Sequence, residues 1–184
     1  MSRIDALLKN YARYVSLPWD QTLPGAQRVW FAVYDKTDER RLRLRITKFE
    51  MATKDAGHSW SCCDLTNAFP RWMADQEYRE RYFKSPQALP TPHKGFAEYA
   101  AAQVQAKLAV ADENTVVAVV GVGALFGFMK VSNLMEAVER SIRGRLLVFF
   151  PGEYTDNNYR LLDARDGWNY HAVPITATGG LLEA

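Results

Sequence analysis

The sequence is poor in cysteine and histidine. Its two cysteines, Cys62 and Cys63, are adjacent among 184 residues. Neighbouring cysteines cannot join distant segments, and they lack the Cys-x-x-Cys spacing of zinc and redox sites. We therefore predict two reduced thiols in a buried strand. None of the three histidines, His58, His93 and His171, lies in a glycine-flanked serine or cysteine context, so the sequence suggests no paired nucleophile and base.

Long hydrophobic runs and a strong charge imbalance are also missing. No run approaches the roughly 20 apolar residues of a transmembrane helix, and the first residues lack the apolar core and cleavage site of a secretory signal. The formal net charge is only +2, so the overall charge favours neither a nucleic-acid nor a membrane partner. We expect a cytoplasmic protein without a membrane interaction, a cofactor or a bound metal.

The remaining composition is that of a globular protein, with 48% hydrophobic residues. This length allows one domain with a sizeable core but is too short for two domains of ordinary size. We predict a single α/β domain over residues 1–178 and a flexible tail over residues 179–184, where two glycines are adjacent.

The central part of the chain predicts a β-α-β unit. Residues 115–121 form an apolar run that suits a strand buried on both faces of a parallel sheet. Gly121 and Gly123 permit a sharp turn after it. A helix of about fourteen residues and a second buried strand over residues 145–150 complete the crossover.

The other segments continue the alternation of strands and helices. Residues 38–56 alternate as a strand would, but we favour a helix because the next strand needs a crossover before it. The predicted strands are 29–34, 59–65 and 169–175, with Pro174 indicating a sheet edge, the predicted helices are 4–15, 38–56, 67–82 and 96–110, and a loop with three prolines covers 85–94.

Five strands interleaved with helices predict an α/β protein, namely a three-layer sandwich with a mainly parallel, roughly five-stranded sheet. The expected topology is Rossmann-like or P-loop-like without a Walker A motif. Ligands of such sheets bind beyond the carboxyl ends of the strands. We therefore expect the candidate site residues just beyond the carboxyl ends of the predicted strands.

The glycine loop is the first such candidate, with Gly121 and Gly123 as weak cofactor-binding residues. A phosphate-binding loop needs Gly-Lys-Ser/Thr before its helix, but Lys130 comes too late for that role. A dinucleotide fingerprint needs a third glycine where this chain has Phe126. A tight turn with hydrophobic contacts is the favoured interpretation.

Three acids follow predicted strands: Asp35, Asp64 and Glu153. One interpretation is a Mg²⁺-dependent hydrolase or nuclease, because clustered carboxylates hold Mg²⁺. The other is that these acids cap helix N-termini just beyond the strands, and it is favoured because no histidine or lysine accompanies them at motif spacing.

A dense basic stretch covers residues 40–48. On a helix, Arg41, Arg45 and Lys48 share one face and could contact phosphates or an acidic partner. A solvated helix face explains the same pattern. A nucleic-acid-binding module therefore stands as a further alternative.

Four segments together resemble the BrxB family of the BREX bacteriophage-defence system. They are Gly-Val-Gly-Ala-Leu-Phe-x-Phe-x-Lys-Val at 121–131, Leu-Val-Phe-Phe-Pro-Gly-Glu-Tyr at 147–154, Tyr-Arg-Leu-Leu at 159–162 and Asn-Tyr-His-Ala at 169–172. The resemblance is best over residues 115–175. Gly127 and Lys130 stand where the family commonly has proline and arginine, which indicates a divergent member.

This resemblance implies a non-enzymatic interaction subunit of a phage-defence complex. The implied partners are a phosphatase-like PglZ subunit and other BREX components, with nucleic acid bound only through the complex. The expected docking surface, here called the rim, consists of Phe126, Phe128, Lys130, Pro151, Gly152, Glu153, Tyr154 and Arg160.

Overall fold

The structure, a computed structural model, describes residues 2–90, 93–164 and 167–180. Within these ranges the chain is a mixed α/β protein. Its helices are α1 (Arg3–Val15), α2 (Glu39–Arg43), α3 (Ile46–Asp55), α4 (Ala68–Ala74), α5 (Arg79–Lys84), α6 (Lys94–Ala109) and α7 (Val131–Val138). Its strands are β1 (Val29–Tyr34), β2 (Ser59–Asp64), β3 (Thr115–Val120), β4 (Arg145–Thr155), β5 (Asn158–Leu161), β6 (Trp168–Asn169), β7 (Val173–Thr176) and β8 (Gly179–Gly180).

The sheet combines parallel and antiparallel pairing. Strands β2, β3, β4, β1 and β7 lie side by side in that order and pair in parallel. In the register, Val29 is opposite Leu146 and Ser59 is opposite Thr115. Strand β8 adds an antiparallel pair at β7, and β5 and β6 add antiparallel pairs beyond the end of β4.

The strand order differs from that of a Rossmann sheet, one of the two predicted topologies. A Rossmann sheet has the order 3-2-1-4-5, whereas numbering the parallel strands here along the chain gives 2-3-4-1-5. The first crossover runs from β1 to the far edge of the sheet, and the next two return towards the middle. Parallel crossovers are right-handed, so crossovers that run in opposite directions along the sheet cover opposite faces. The crossover from β1 to β2 therefore places α2 and α3 on one face, and the crossovers from β2 to β3 and from β3 to β4 place α4, α6 and α7 on the other.

Alternate strand residues supply two hydrophobic clusters, one on each face of the sheet. Phe31, Val117 and Val148 belong to the cluster covered by α4, α6 and α7. Trp30 and Phe149 belong to the cluster covered by α1, α2 and α3. The fully apolar run of β3 is buried along its whole length, as the sequence predicted.

Several element boundaries differ from the predictions. The helix expected over 38–56 is two helices separated at residues 44 and 45, and the one expected over 67–82 is α4 and α5. The helix of about fourteen residues is a 3₁₀ turn, Val122–Leu125, followed by the shorter α7. Strand β4 continues five residues beyond its predicted end at residue 150, which the sequence did not indicate.

The thiols, part of the predicted tail and the helices can each be compared with the predictions. Cys62 and Cys63 are free strand residues, but Cys62 is only half-buried because β2 is the edge strand. Of the predicted tail, Gly179–Gly180 pairs with β7, and residues 181–184 lie outside the described residues. None of the helices in the described part has the length and apolar character needed to cross a membrane.

Candidate functional site at the carboxyl edge of the sheet

A cleft of about 240 Å³ opens beyond the carboxyl ends of the parallel strands. The chain leaves β1 towards one face and β3 towards the other, so the two connections separate above the end of β4. This divergence is the usual origin of a ligand crevice in an open α/β sheet. The cleft is lined by Lys36, Glu39, Arg43, Thr66, Gly121, Gly123, Ala124, Pro151 and Leu162.

A polar network centred on Arg43 forms one wall of the cleft. Its Nε donates to Glu39 Oε1 at 2.7 Å, and its Nη2 donates to Thr66 Oγ1 at 2.5 Å. Its Nη1 lies 3.5 Å from Asp64 Oδ2. Tyr34 donates its hydroxyl to the other oxygen of Glu39. The network joins β1, α2 and the residues after β2, and burial together with the Glu39 contact raises the pKa of Tyr34.

The glycine loop forms the opposite wall and packs closely against its neighbours. Gly121 has φ of +80°, and a Cβ atom there would lie 2.5 Å from the backbone nitrogen of Thr66. A Cβ at Gly123 would lie 3.6 Å from the ring of Pro151. The backbone N–H of Ala124 donates to the carbonyl of Gly121 at 3.0 Å. The loop is the tight turn with apolar contacts that the sequence favoured.

Two of the three candidate acids organise turns. Asp35 Oδ1 accepts the N–H of Thr37 at 2.8 Å and caps the 3₁₀ turn after β1. Asp64 Oδ1 accepts the N–H of Thr66 at 2.9 Å. Partial burial acts to raise the pKa of Asp64, but the Thr66 hydrogen bonds and Arg43 outweigh it and hold that pKa below its usual value.

Glu153 does not join Asp35 and Asp64 in a metal-binding cluster. It is exposed on β4, where its Oε2 is 3.9 Å from Arg160 Nη1 of the paired strand β5. Within residues 2–90, 93–164 and 167–180, no three acidic, histidine or cysteine side chains are grouped to hold a metal ion. The structure therefore does not bring Asp35, Asp64 and Glu153 together as a carboxylate site.

The basic stretch is divided between two helices and is largely paired. Arg41 Nη1 lies 2.9 Å from Asp38 Oδ1, and Arg45 Nε lies 3.3 Å from Asp5 Oδ1. Lys48 is exposed on α3. Two of the three residues predicted to contact a nucleic acid or an acidic partner, Arg41 and Arg45, thus form ion pairs within the protein.

The rim residues come from two segments on either side of the cleft. Phe126 is 47% exposed, whereas the ring of Phe128 stacks on Phe69 with centroids 4.2 Å apart. Lys130 is exposed just before α7. The remaining members, Pro151, Gly152, Glu153, Tyr154 and Arg160, lie on the β4–β5 hairpin.

Sequence reasoning missed several residues that line the cleft. Lys36, Arg43, Thr66 and Leu162 contribute to its walls but were not candidates. One signal was available, because an Asp-x-Thr tripeptide stands at the carboxyl end of both β1 and β2 and is typical of a side-chain-stabilised turn. The position of Arg43 depends on where α2 begins and ends, which the sequence did not show.

The larger part of the chain matches a known family model. A model described as BREX protein BrxB covers residues 72–175, more than half of the chain. The matched region includes the glycine loop and the hairpin, whereas Lys36, Arg43 and Thr66 precede it. No curated protein and no solved structure shows a significant match to the chain.

Proposed function

We propose, from the premise that this chain belongs to the BrxB family of BREX proteins, that it acts as a non-enzymatic interaction subunit. Family membership makes it a component of a BREX phage-defence system, associated with other BREX components. The finer proposal is that the rim docks onto a phosphatase-like PglZ subunit.

The β4–β5 hairpin is the observation that carries this proposal. It extends the central strand beyond the parallel sheet as far as Thr155, and its outer residues Glu153 and Arg160 are exposed. The half-exposed ring of Phe126 faces solvent from the other side of the cleft. Together they present an aromatic side chain and two opposite charges on one edge, a combination suited to a protein interface.

The geometry favours neither alternative function. Asp35 and Asp64 are engaged in turns after β1 and β2, which gives no support to a metal-dependent hydrolase. Arg41 and Arg45 are engaged in ion pairs, which gives no support to a nucleic-acid-binding module. The inner face of the hairpin packs into the core through Tyr159 and Leu161, whereas its exposed residues Glu153 and Arg160 have no core contact that would explain them.

Co-expression and co-purification with a PglZ subunit of a BREX system test the proposal. We expect Phe126→Asp and Arg160→Glu each to weaken capture about tenfold or more, because losing a buried aromatic or charged anchor costs at least about 1.4 kcal/mol of binding. Val110→Asp is the matched control, because Val110 is 83% exposed and lies shortly before the start of β3, at the end of the strands opposite to the rim.

The control should capture the partner as well as the natural chain does. The proposal fails if the natural chain captures no PglZ subunit. It also fails if the rim variants and the control behave alike, since docking would then use another surface.

A further inference from the structure

A larger cavity lies at the opposite edge of the sheet from the rim. It has a volume of about 410 Å³ and lies where β1, β4 and β7 begin. This volume falls within the range of small-ligand sites. Its walls include Tyr14, Leu17, Pro18, Trp19, Trp30 and Arg145.

Arg145 is the unusual member of this set. It is only 3% exposed, although its guanidinium is charged at every ordinary pH. The guanidinium carbon lies 4.9 Å from the ring centre of Trp19 and 5.8 Å from that of Trp30. Its hydrogen bonds to described residues are Nη1 to Gly144 O at 3.0 Å and Nη2 to Asp20 O at 2.9 Å.

No carboxylate among the described residues lies within 4.0 Å of Arg145 to balance its charge. Asp20 also lines the cavity, but its Oδ1 accepts the N–H of Thr22 at 2.8 Å and the hydroxyl of Thr22 at 2.7 Å. Arg28 adds a second positive charge near by, and it too donates to backbone carbonyls, with Nε 2.9 Å from Leu23 O. Burial first, and then Arg28, lower the pKa of Arg145.

A buried cation of this kind costs several kcal/mol unless an anion accompanies it. The guanidinium has five N–H donors, and two backbone hydrogen bonds leave part of the fork for another acceptor. Planar forks suit carboxylates and phosphates, which accept two parallel hydrogen bonds.

We propose that this cavity binds a small organic anion, with its carboxylate or phosphate against the Arg145 guanidinium. The apolar part of the ligand would contact Leu17, Pro18 and Tyr14. This site is separate from the rim, so it is independent of the proposed docking function.

Isothermal titration of the whole chain with three single-ring probes tests the proposal. Phenylacetate carries a carboxylate, phenyl phosphate carries a phosphate, and phenylacetamide is the neutral match of the first. We expect at least one anion to bind, and the amide to bind about tenfold more weakly or worse, the factor that about 1.4 kcal/mol represents. The tighter anion identifies which acidic group the site takes.

Two variants locate the binding. Arg145→Met should no longer bind the anion. The variant should still fold, because an apolar side chain of similar length replaces an unbalanced buried charge. Arg143→Met is the control, because Arg143 donates instead to Ala109 O at 3.2 Å and does not line the cavity. The control should bind as the natural chain does.

Three results would overturn the proposal. One is the absence of anion binding up to about 10 mM, well above the millimolar affinity expected of a few such contacts. The second is that phenylacetamide binds as tightly as the tighter of the two anions, a result that remains decisive even if Arg145→Met does not fold. The third is undiminished binding by a folded Arg145→Met variant.

Discussion

At the scale of single residues, aspartates followed two positions later by threonine have a common structural role. The pattern occurs at residues 20–22, 35–37 and 64–66, and in each case the carboxylate accepts hydrogen bonds from the N–H and hydroxyl of the threonine. Ionised carboxylates are stronger acceptors than neutral ones. The folded chain therefore holds the pKa of Asp20, Asp35 and Asp64 below the usual value.

These lowered pKa values predict acid sensitivity. A carboxyl with a lower pKa in the folded chain adds stability above its ordinary value, 3.8. That contribution is lost as the pH falls through the folded value. We expect urea unfolding to show a decreasing free energy of unfolding from about pH 5 to about pH 2. Asp64→Asn should flatten this dependence, and an unchanged slope in that variant would contradict the role of Asp64.

Two glycines allow a matched test of the tight turn. Gly121 and Gly127 have φ of +80° and +83°, but an added Cβ atom would have neighbours within 4 Å at Gly121 and none at Gly127. Gly127→Ala should cost about 1–2 kcal/mol of unfolding free energy through backbone strain. Gly121→Ala should cost about 1–3 kcal/mol more, because the Cβ would overlap Thr66. Equal losses in urea denaturation would show that the contact with Thr66 relaxes easily.

At the scale of elements, the segment between β1 and β2 shows how a periodic pattern misleads. Leu42, Leu44 and Ile46 alternate with arginines as in a strand, yet Leu42 is 1% exposed and Leu44 is 73% exposed. A strand would place both on one face, whereas a helical turn places them on different sides. The helix interpretation is confirmed, and the break at residues 44 and 45 depends on packing that the pattern does not contain.

The β4–β5 hairpin was missed because its turn lacks glycine. Asp156 and Asn157 both adopt positive φ, 52° and 62°, as the favoured two-residue hairpin turns require. Asparagine and aspartate tolerate this conformation better than other residues with a side chain. Residues 155–158 are polar, but the sequence predicted neither the continuation of β4 beyond residue 150 nor the strand β5.

Substitution of Asn157 tests the hairpin turn. Asn157→Gly should change the free energy of unfolding by less than about 0.5 kcal/mol, because glycine accepts positive φ. Asn157→Val should lower it by about 1–2 kcal/mol, because a branched side chain is strained there. Thermal and urea unfolding measure both, and a stable valine variant would indicate that the turn rearranges without cost.

At the scale of the whole molecule, the direction of the crossovers decides where sites can form. The chain crosses one face from β1 to β2 and returns over the other face to β4. The connections after β1 and β3 therefore separate, and the cleft opens between them. The cavity around Arg145 lies at the other edge, so the molecule carries two separate candidate sites.

The amino-acid sequence by itself determined where the parallel strands β1 to β4 begin, most helices and the family, because apolar runs, periodicity and motifs are local properties. The last predicted strand, 169–175, is divided between β6 and β7. Only the tertiary structure decided the strand order, the hairpin, and the neighbours of Arg43 and Arg145. Those features depend on which segments meet across the sheet. A side chain such as Asp64 is a catalytic candidate or a turn residue according to what lies beside it, and distant parts of the chain supply that neighbourhood.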